Sequence, residues 1–218
     1  MIADSIQAIE QKIKDRARLI AVTKTKPVMM LQDAYDAGAR LFGENKVQEM
    51  AEKQPQLPRD IEWHLIGHLQ SNKVKYIAPF VSLIHSIDSL KLLQEVNKQA
   101  LKNGRVIDCL LQIHIADEET KFGLLPDEAD ALLRSAMLND LQNVRIIGLM
   151  GLATNTDDEE QVRREFRGLK RLFDQLATIQ TAQVQFSELS MGMSGDYELA
   201  VEEGSTLVRV GSAIFGAR

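Results

Sequence analysis

The sequence predicts an α/β fold built on a parallel sheet, and its rhythm favours a single closed (β/α)8 barrel of the TIM type. Eight strand-like apolar runs alternate with segments of helical periodicity along the chain. The runs are continuously apolar rather than alternating, as expected of strands buried on both faces. No Gly-x-Gly-x-x-Gly turn follows the first strand, which argues against a nicotinamide-binding Rossmann domain. An open doubly wound sheet is the alternative topology. The 218 residues lie near the short end for a barrel. No Pro-rich or Gly/Ser-rich linker interrupts them, so one domain over residues 1–218 is the economical reading.

The elements follow in order. Ile2, Ile6, Ile9 and Ile13 fall at helical spacing, so residues 1–17 read as an amphipathic helix packed on the barrel. Residues 19–27, Leu-Ile-Ala-Val-Thr-Lys-Thr-Lys-Pro, begin as the first strand, which ends at Lys24 ahead of a proline that cannot continue it. Pro27 suits the first turn of a helix and Gly38 its end. A second strand is expected at residues 40–45, and a helix beginning at Val47 stops before Pro55. Residues 61–67, with Trp63 and His64, read as the third strand, and Ser71 as the cap of a short helix through Ile77. Residues 81–87 make the fourth strand. Asp88 or Ser89 caps a helix carrying Leu90, Leu93 and Val96 that ends near Gly104. A fifth strand at 106–115 precedes a helix opened by Pro126, and a sixth runs over 145–152. Asp157 and Glu160 resemble a capping box before Val162, Phe166, Leu169 and Phe173. The seventh strand is expected at 188–193, with Ser194 capping a helix that Gly204 stops; residues 207–210 are the eighth.

Composition narrows the function. A hydrophobic content of 44% suffices for a substantial core, and a net charge of -5 without a long basic tract argues against a nucleic-acid surface. The one cysteine, Cys109, lies in an apolar run and reads as a core thiol, in keeping with a reducing, cytoplasmic setting. No apolar stretch approaches the ~18 residues needed to span a membrane. The charged, amphipathic N-terminus has no signal-peptide core. No metal site is expected.

In such barrels the chemistry lies at the carboxyl ends of the strands. Those ends hold Lys24, Asn45, His64 to His68, His114, Met150, Gly151, Met191 to Ser194 and Arg209 to Ser212. A lysine ending a buried strand is a candidate amine nucleophile toward a carbonyl. Should the strand persist, Lys26 shares its face and the like charge favours the neutral amine. The loops after the last two strands carry Gly-Met-Ser and Val-Gly-Ser. Gly192, Ser194, Gly211 and Ser212 there supply hydroxyls and accessible N–H groups for a phosphate. A lysine facing a phosphate cup points to a ligand bearing an aldehyde and a phosphate. Pyridoxal 5′-phosphate (PLP) and an aldolase's sugar phosphate both qualify.

Longer stretches carry a resemblance. Residues 21–27 (Ala-Val-Thr-Lys-Thr-Lys-Pro), 42–49 (Phe-Gly-Glu-Asn-Lys-Val-Gln-Glu), 63–73 (Trp-His-Leu-Ile-Gly-His-Leu-Gln-Ser-Asn-Lys), 190–194 (Ser-Met-Gly-Met-Ser) and 204–218 resemble the PLP homeostasis proteins, in order and over nearly the whole chain. The resemblance implies the barrel of the alanine racemase N-terminal domain. It implies that Lys24 holds the cofactor as an internal aldimine and that Ser194, Gly211 and Ser212 contact its phosphate. Arg209 is then placed beside the pyridine nitrogen, where a donor-only side chain keeps that nitrogen unprotonated. Asn45 is placed beside the ring. His64 reads as a hydrogen-bonded core histidine, and the role of His68 stays open.

The same resemblance sets an expectation for activity. Racemisation needs an acid or base on each face of the substrate α-carbon. In the racemases the tyrosine opposite the lysine comes from a second, β-rich domain, and an Ala-Tyr-Gly run follows the lysine. This sequence ends at Arg218 soon after its last strand, lacks that run, and has its three tyrosines, Tyr35, Tyr76 and Tyr197, on expected helices. The implied role is intracellular PLP homeostasis with little or no catalysis. A weak PLP-dependent amino-acid racemase is the alternative. PLP-dependent apoenzymes are the implied acceptors, and a monomer or weak dimer the expected state.

Overall fold

The computed structural model describes residues 1–117 and 122–216. Its opening helix, α1 (Ile2–Ile13), leads into β1 (Arg18–Val22) and α2 (Val28–Asp36). Then come β2 (Leu41–Glu44), α3 (Val47–Lys53), β3 (Glu62–Leu65), α4 (Val74–Ile77) and β4 (Leu83–Ile87). The second half runs α5 (Leu90–Lys102), β5 (Ile107–Ile113), α6 (Pro126–Arg134) and β6 (Val144–Gly151). It closes with α7 (Glu159–Leu176), β7 (Val184–Ser190), α8 (Tyr197–Glu202), β8 (Leu207–Val210) and α9 (Ser212–Phe215). The strands pair in sequence order, all parallel, and β8 returns to β1 with Ile20 opposite Arg209, so the sheet is a closed barrel. The open-sheet alternative is thereby removed.

The apolar runs divide between two cores because alternate residues of a strand face opposite sides. Ile20, Leu83, Leu110, Met150 and Leu207 fill the barrel interior. Their neighbours, among them Ala21, Phe42, Ile84, Leu111 and Leu189, join the larger core between barrel and helices. Ile6, Ile9 and Ile13 of α1 belong to that outer core. Gly43 faces inward, where a Cβ would lie 2.9 Å from Ile20 Cγ2. Cys109 is fully buried, and burial pushes its thiol well above the usual range.

Several local expectations shift. β7 begins at Val184 rather than Glu188, because half-exposed polar residues in its first half hide the strand pattern. The cap of α7 is Asp158, whose side chain accepts from the Gln161 N–H at 3.1 Å, one residue beyond the expected box. Ser71 opens a 3-10 turn before α4 and does not cap it. Among the described residues, no helix is long and apolar enough to cross a membrane.

Candidate functional site

The two mouths of the barrel differ. At the strands' amino ends a cavity of about 870 Å3 is lined by polar residues. Two ion pairs lie there, Arg18 with Glu188 at 2.6 Å and Arg145 with Asp108 at 2.7 Å. At the carboxyl ends lies a second cavity of about 630 Å3. Lys24, Asn45, Ser194, Arg209, Gly211 and Ser212 all line this second cavity, as does His68. Val22, Ile66 and Leu152 give it apolar walls. Six positions scattered along the sequence thus share one space because each follows, or ends, a strand of the same barrel.

Lys24 sits in a tight turn rather than on the strand. β1 ends at Val22, and the Lys26 N–H donates to the Thr23 carbonyl at 3.1 Å. Thr25 has φ +64°, a backbone conformation that a β-branched residue rarely adopts and that costs about 1–3 kcal/mol. The turn is gripped from outside the barrel. Lys53 Nζ donates to the Thr23 carbonyl at 2.7 Å, to Glu44 Oε1 at 2.7 Å and to Glu49 Oε1 at 2.6 Å. Thr23 Oγ1 donates to Glu44 Oε1 at 2.6 Å, and the Thr25 N–H to Glu49 Oε1 at 2.5 Å. Burial raises the pKa of Glu44, opposed by the hydrogen bonds from Lys53 and Thr23. The expected face shared by Lys24 and Lys26 does not form. Lys26 turns its amine to the carbonyls of Phe215 at 3.2 Å and Gly216 at 3.0 Å.

Asn45 follows β2 beside Gly67, where a Cβ would come within 2.3 Å of the Asn45 carbonyl oxygen. Only a glycine lets these two loops touch. Ser194 does not cap its own downstream helix, whose cap is Asp196. Its Oγ instead accepts from the N–H groups of Gly211 at 3.1 Å and Ala213 at 3.4 Å, tying the loop after β7 to the start of α9. Gly192 makes the turn possible, with φ +96° and room only for hydrogen against Ala200.

Arg209 is 3% exposed and points its guanidinium along the barrel interior. Nη2 donates to the Gly151 carbonyl at 3.0 Å and Nη1 to Ser190 Oγ. Burial lowers its pKa to about 10, so it stays cationic at neutral pH. His64 is a buried core histidine, as expected. Its Nδ1 lies 3.0 Å from His85 Nε2, and His85 Nδ1 lies 2.9 Å from Ser190 Oγ. His68 stacks on Phe122 at the rim, with ring centroids 4.4 Å apart. Sequence reading missed Lys53, Glu44, His85, Ser190 and Phe122. The signal for His85 and Ser190 was present, since each is a polar residue inside an apolar strand run.

A closed parallel barrel with a lysine turn after its first strand and small, hydroxyl-bearing loops after its last two defines the class. The chain matches the alanine racemase N-terminal domain family over residues 1–218. Within that class it belongs to the pyridoxal phosphate homeostasis proteins. The protein of that name from Aquifex aeolicus is 42% identical over 203 residues, 93% of this chain and 87% of that one. PipY of Synechococcus elongatus PCC7942, in the structure with PLP bound, is 37% identical with a TM-score of 0.90, covering 99% of this chain and all of that one. An alanine racemase from Bartonella henselae shares the fold alone, at 17% identity and a TM-score of 0.75, covering 99% of this chain and 58% of that one.

Proposed function

We propose that this protein binds PLP in the 630 Å3 cavity and serves PLP homeostasis, holding and releasing the cofactor with little or no turnover. One observation carries the reading. A lysine, a buried arginine and a pair of hydroxyl-bearing loops converge on one cavity with apolar walls. That donor set fits PLP: an amine for the aldehyde, a cation for an aromatic nitrogen, hydroxyls and N–H groups for a phosphate. The open space beside Gly195 and Gly216, where a Cβ would meet nothing within 4 Å, leaves room for the phosphate end.

In this reading Lys24 holds the aldehyde carbon, and the clamp of Lys53, Glu44 and Glu49 aims it. Ser194, Ser212 and the Gly211 backbone hold the phosphate. Arg209 donates to the pyridine nitrogen, and Asn45 orients the ring from the side. Bound PLP supplies an electrophilic aldehyde and a ring that can delocalise electrons. An arginine partner does not protonate the nitrogen, so that delocalisation is weak. Among the described residues, no tyrosine lines the cavity. Tyr35 donates to Asp60, Tyr76 is exposed on α4, and Tyr197 is buried at the start of α8. Proton delivery to a second face of a substrate, typically worth about 10²–10⁴-fold, therefore has no tyrosine to supply it there. We further propose a single working domain in the cytoplasm, a monomer or weak dimer, that hands PLP to PLP-dependent apoenzymes.

The test is borohydride reduction of the PLP-loaded protein followed by peptide mapping. The label belongs on Lys24, and Lys24→Ala should abolish both the label and the visible absorption band. A label on Lys26 would overturn the assignment. Incubation with single amino-acid enantiomers in deuterated water separates the racemase alternative: rapid α-proton exchange or inversion would establish it.

A further inference from the structure

Arg209 is a buried cation that feels the charge of Asp196 but directs none of its described hydrogen bonds at a carboxylate. It is held instead by two neutral oxygens, the Gly151 carbonyl and Ser190 Oγ. Behind Ser190 the polar line continues through His85 to His64, all four residues being at most 3% exposed. His64 reaches the cavity at the opposite mouth, while Arg209 lines the proposed PLP cavity. The line therefore crosses the barrel interior from one mouth to the other.

Its hydrogen-bond directions are determined by chemistry. Arginine only donates, so Ser190 Oγ accepts from Arg209. Ser190 has one hydrogen, and His85 Nδ1 is its other described partner. A buried hydroxyl left without an acceptor costs about 1–3 kcal/mol, so Ser190 donates to Nδ1. His85 then carries its proton on Nε2 and donates to His64 Nδ1. His64 in turn carries its proton on Nε2. Both rings are neutral: burial holds His64 at about 3 and His85 well below its ordinary value.

We infer that His85, with Ser190 and His64 on either side, is a positioning residue for Arg209. The chain is a one-way relay of hydrogen bonds that presents an acceptor to the guanidinium and fixes its plane. A neutral acceptor adds no negative charge to the one Asp196 already exerts on the guanidinium, which a carboxylate in the same place would. The site is thereby built for a neutral, electron-rich aromatic nitrogen. This inference rests on the proposed PLP reading for its ligand, but not for the chain itself.

The experiment has two arms. In the protein without added PLP, ¹⁵N-histidine labelling with long-range ¹H–¹⁵N correlation reads the tautomers at neutral pH. Both His64 and His85 should be neutral with the proton on Nε2. A proton on Nδ1 of His85 overturns the chain direction. In the second arm PLP is titrated into wild type, His85→Leu, His85→Gln and Ser190→Ala. His85→Leu and Ser190→Ala should weaken binding by about tenfold and move the visible absorption maximum, as expected for one lost hydrogen bond. Glutamine offers an acceptor and a donor in the places of Nδ1 and Nε2, so His85→Gln should restore both affinity and band position. Unchanged affinity and spectrum in Ser190→Ala or His85→Leu overturns the positioning role, and the serine variant serves should the leucine one not fold. A wild type that takes up no PLP defeats the PLP reading, while the tautomers still judge the chain.

Discussion

Ser194 shows how much one hydroxyl can organise. Its oxygen accepts two backbone N–H groups from the far side of the cavity, those of Gly211 and Ala213. In the proposed complex the same hydroxyl and the same N–H groups face a phosphate. One hydrogen bond to a charged group contributes about 1.5–3 kcal/mol, so Ser194→Ala should weaken PLP binding roughly tenfold to a hundredfold. A fluorescence or absorbance titration measures this. Pyridoxal, which lacks the phosphate, should bind wild type more weakly than PLP and lose little further affinity in the variant. Equal losses for the two vitamers would place Ser194 away from the phosphate.

The element that decides where Lys24 goes is the turn between β1 and α2, and the turn is set by its neighbours rather than by its own sequence. Thr25 is strained there, within a turn closed by the Lys26 N–H on the Thr23 carbonyl. The compensation comes from Lys53 and Glu49 on α3 and Glu44 on β2. Lys53 is the hub, 8% exposed in its side chain against a fully buried Glu44. Glu44 Oε2 already lacks a hydrogen-bond partner. Removing the ammonium would strand a buried carboxylate, a loss of about 3–5 kcal/mol for pairs of this kind. Lys53→Met should therefore lower stability by that order in urea unfolding. Adding Glu44→Gln should recover part of the loss, because the stranded charge is gone. The double variant should still capture PLP more slowly than wild type, since the turn carbonyl of Thr23 has lost its clamp. A single variant as stable as wild type would show that the cluster does not hold the turn.

For the whole molecule, the polar line through the barrel should appear in the pH dependence of stability. Burial holds His64 at about 3 against an ordinary 6.5, and depresses His85 in the same direction. Between those pH values the unfolded chain binds a proton that the folded chain refuses. Stability is therefore full above pH 6.5 and falls as the pH drops toward 3, by up to about 1.4 kcal/mol per pH unit for each histidine. The raised pKa of Glu44 acts oppositely on the acid side, but equally in wild type and in histidine variants. Urea unfolding across this range, for wild type and for the His64→Gln/His85→Gln double variant, isolates the histidine share. The wild-type curve should be the steeper below pH 6.5, and parallel curves would remove the histidines from the account.

The sequence by itself determined the strand order of events: apolar runs bounded by glycine, proline and capping residues mark eight strands, and in a parallel barrel every strand delivers its last residue to the same mouth. That rule is local in its evidence and global in its consequence. It is why Lys24, Asn45, Ser194, Arg209, Gly211 and Ser212 stand among the strand-end residues, from which the family resemblance singles them out, and why they line one cavity while His114 and Met150, from the same strand ends, do not. The tertiary structure alone decided who bonds to whom. Ser194 reads locally as the cap of the helix that follows it, yet closes on α9 across the cavity. Lys26 reads as a companion of Lys24, yet turns to Phe215 and Gly216, because β1 stops two residues before Lys24. His85 and Ser190 are 105 residues apart and meet only because alternate residues of β4 and β7 point into one interior. Periodicity reports the face a side chain takes. The partner it finds there depends on shear, register and closure, which no short window of sequence contains.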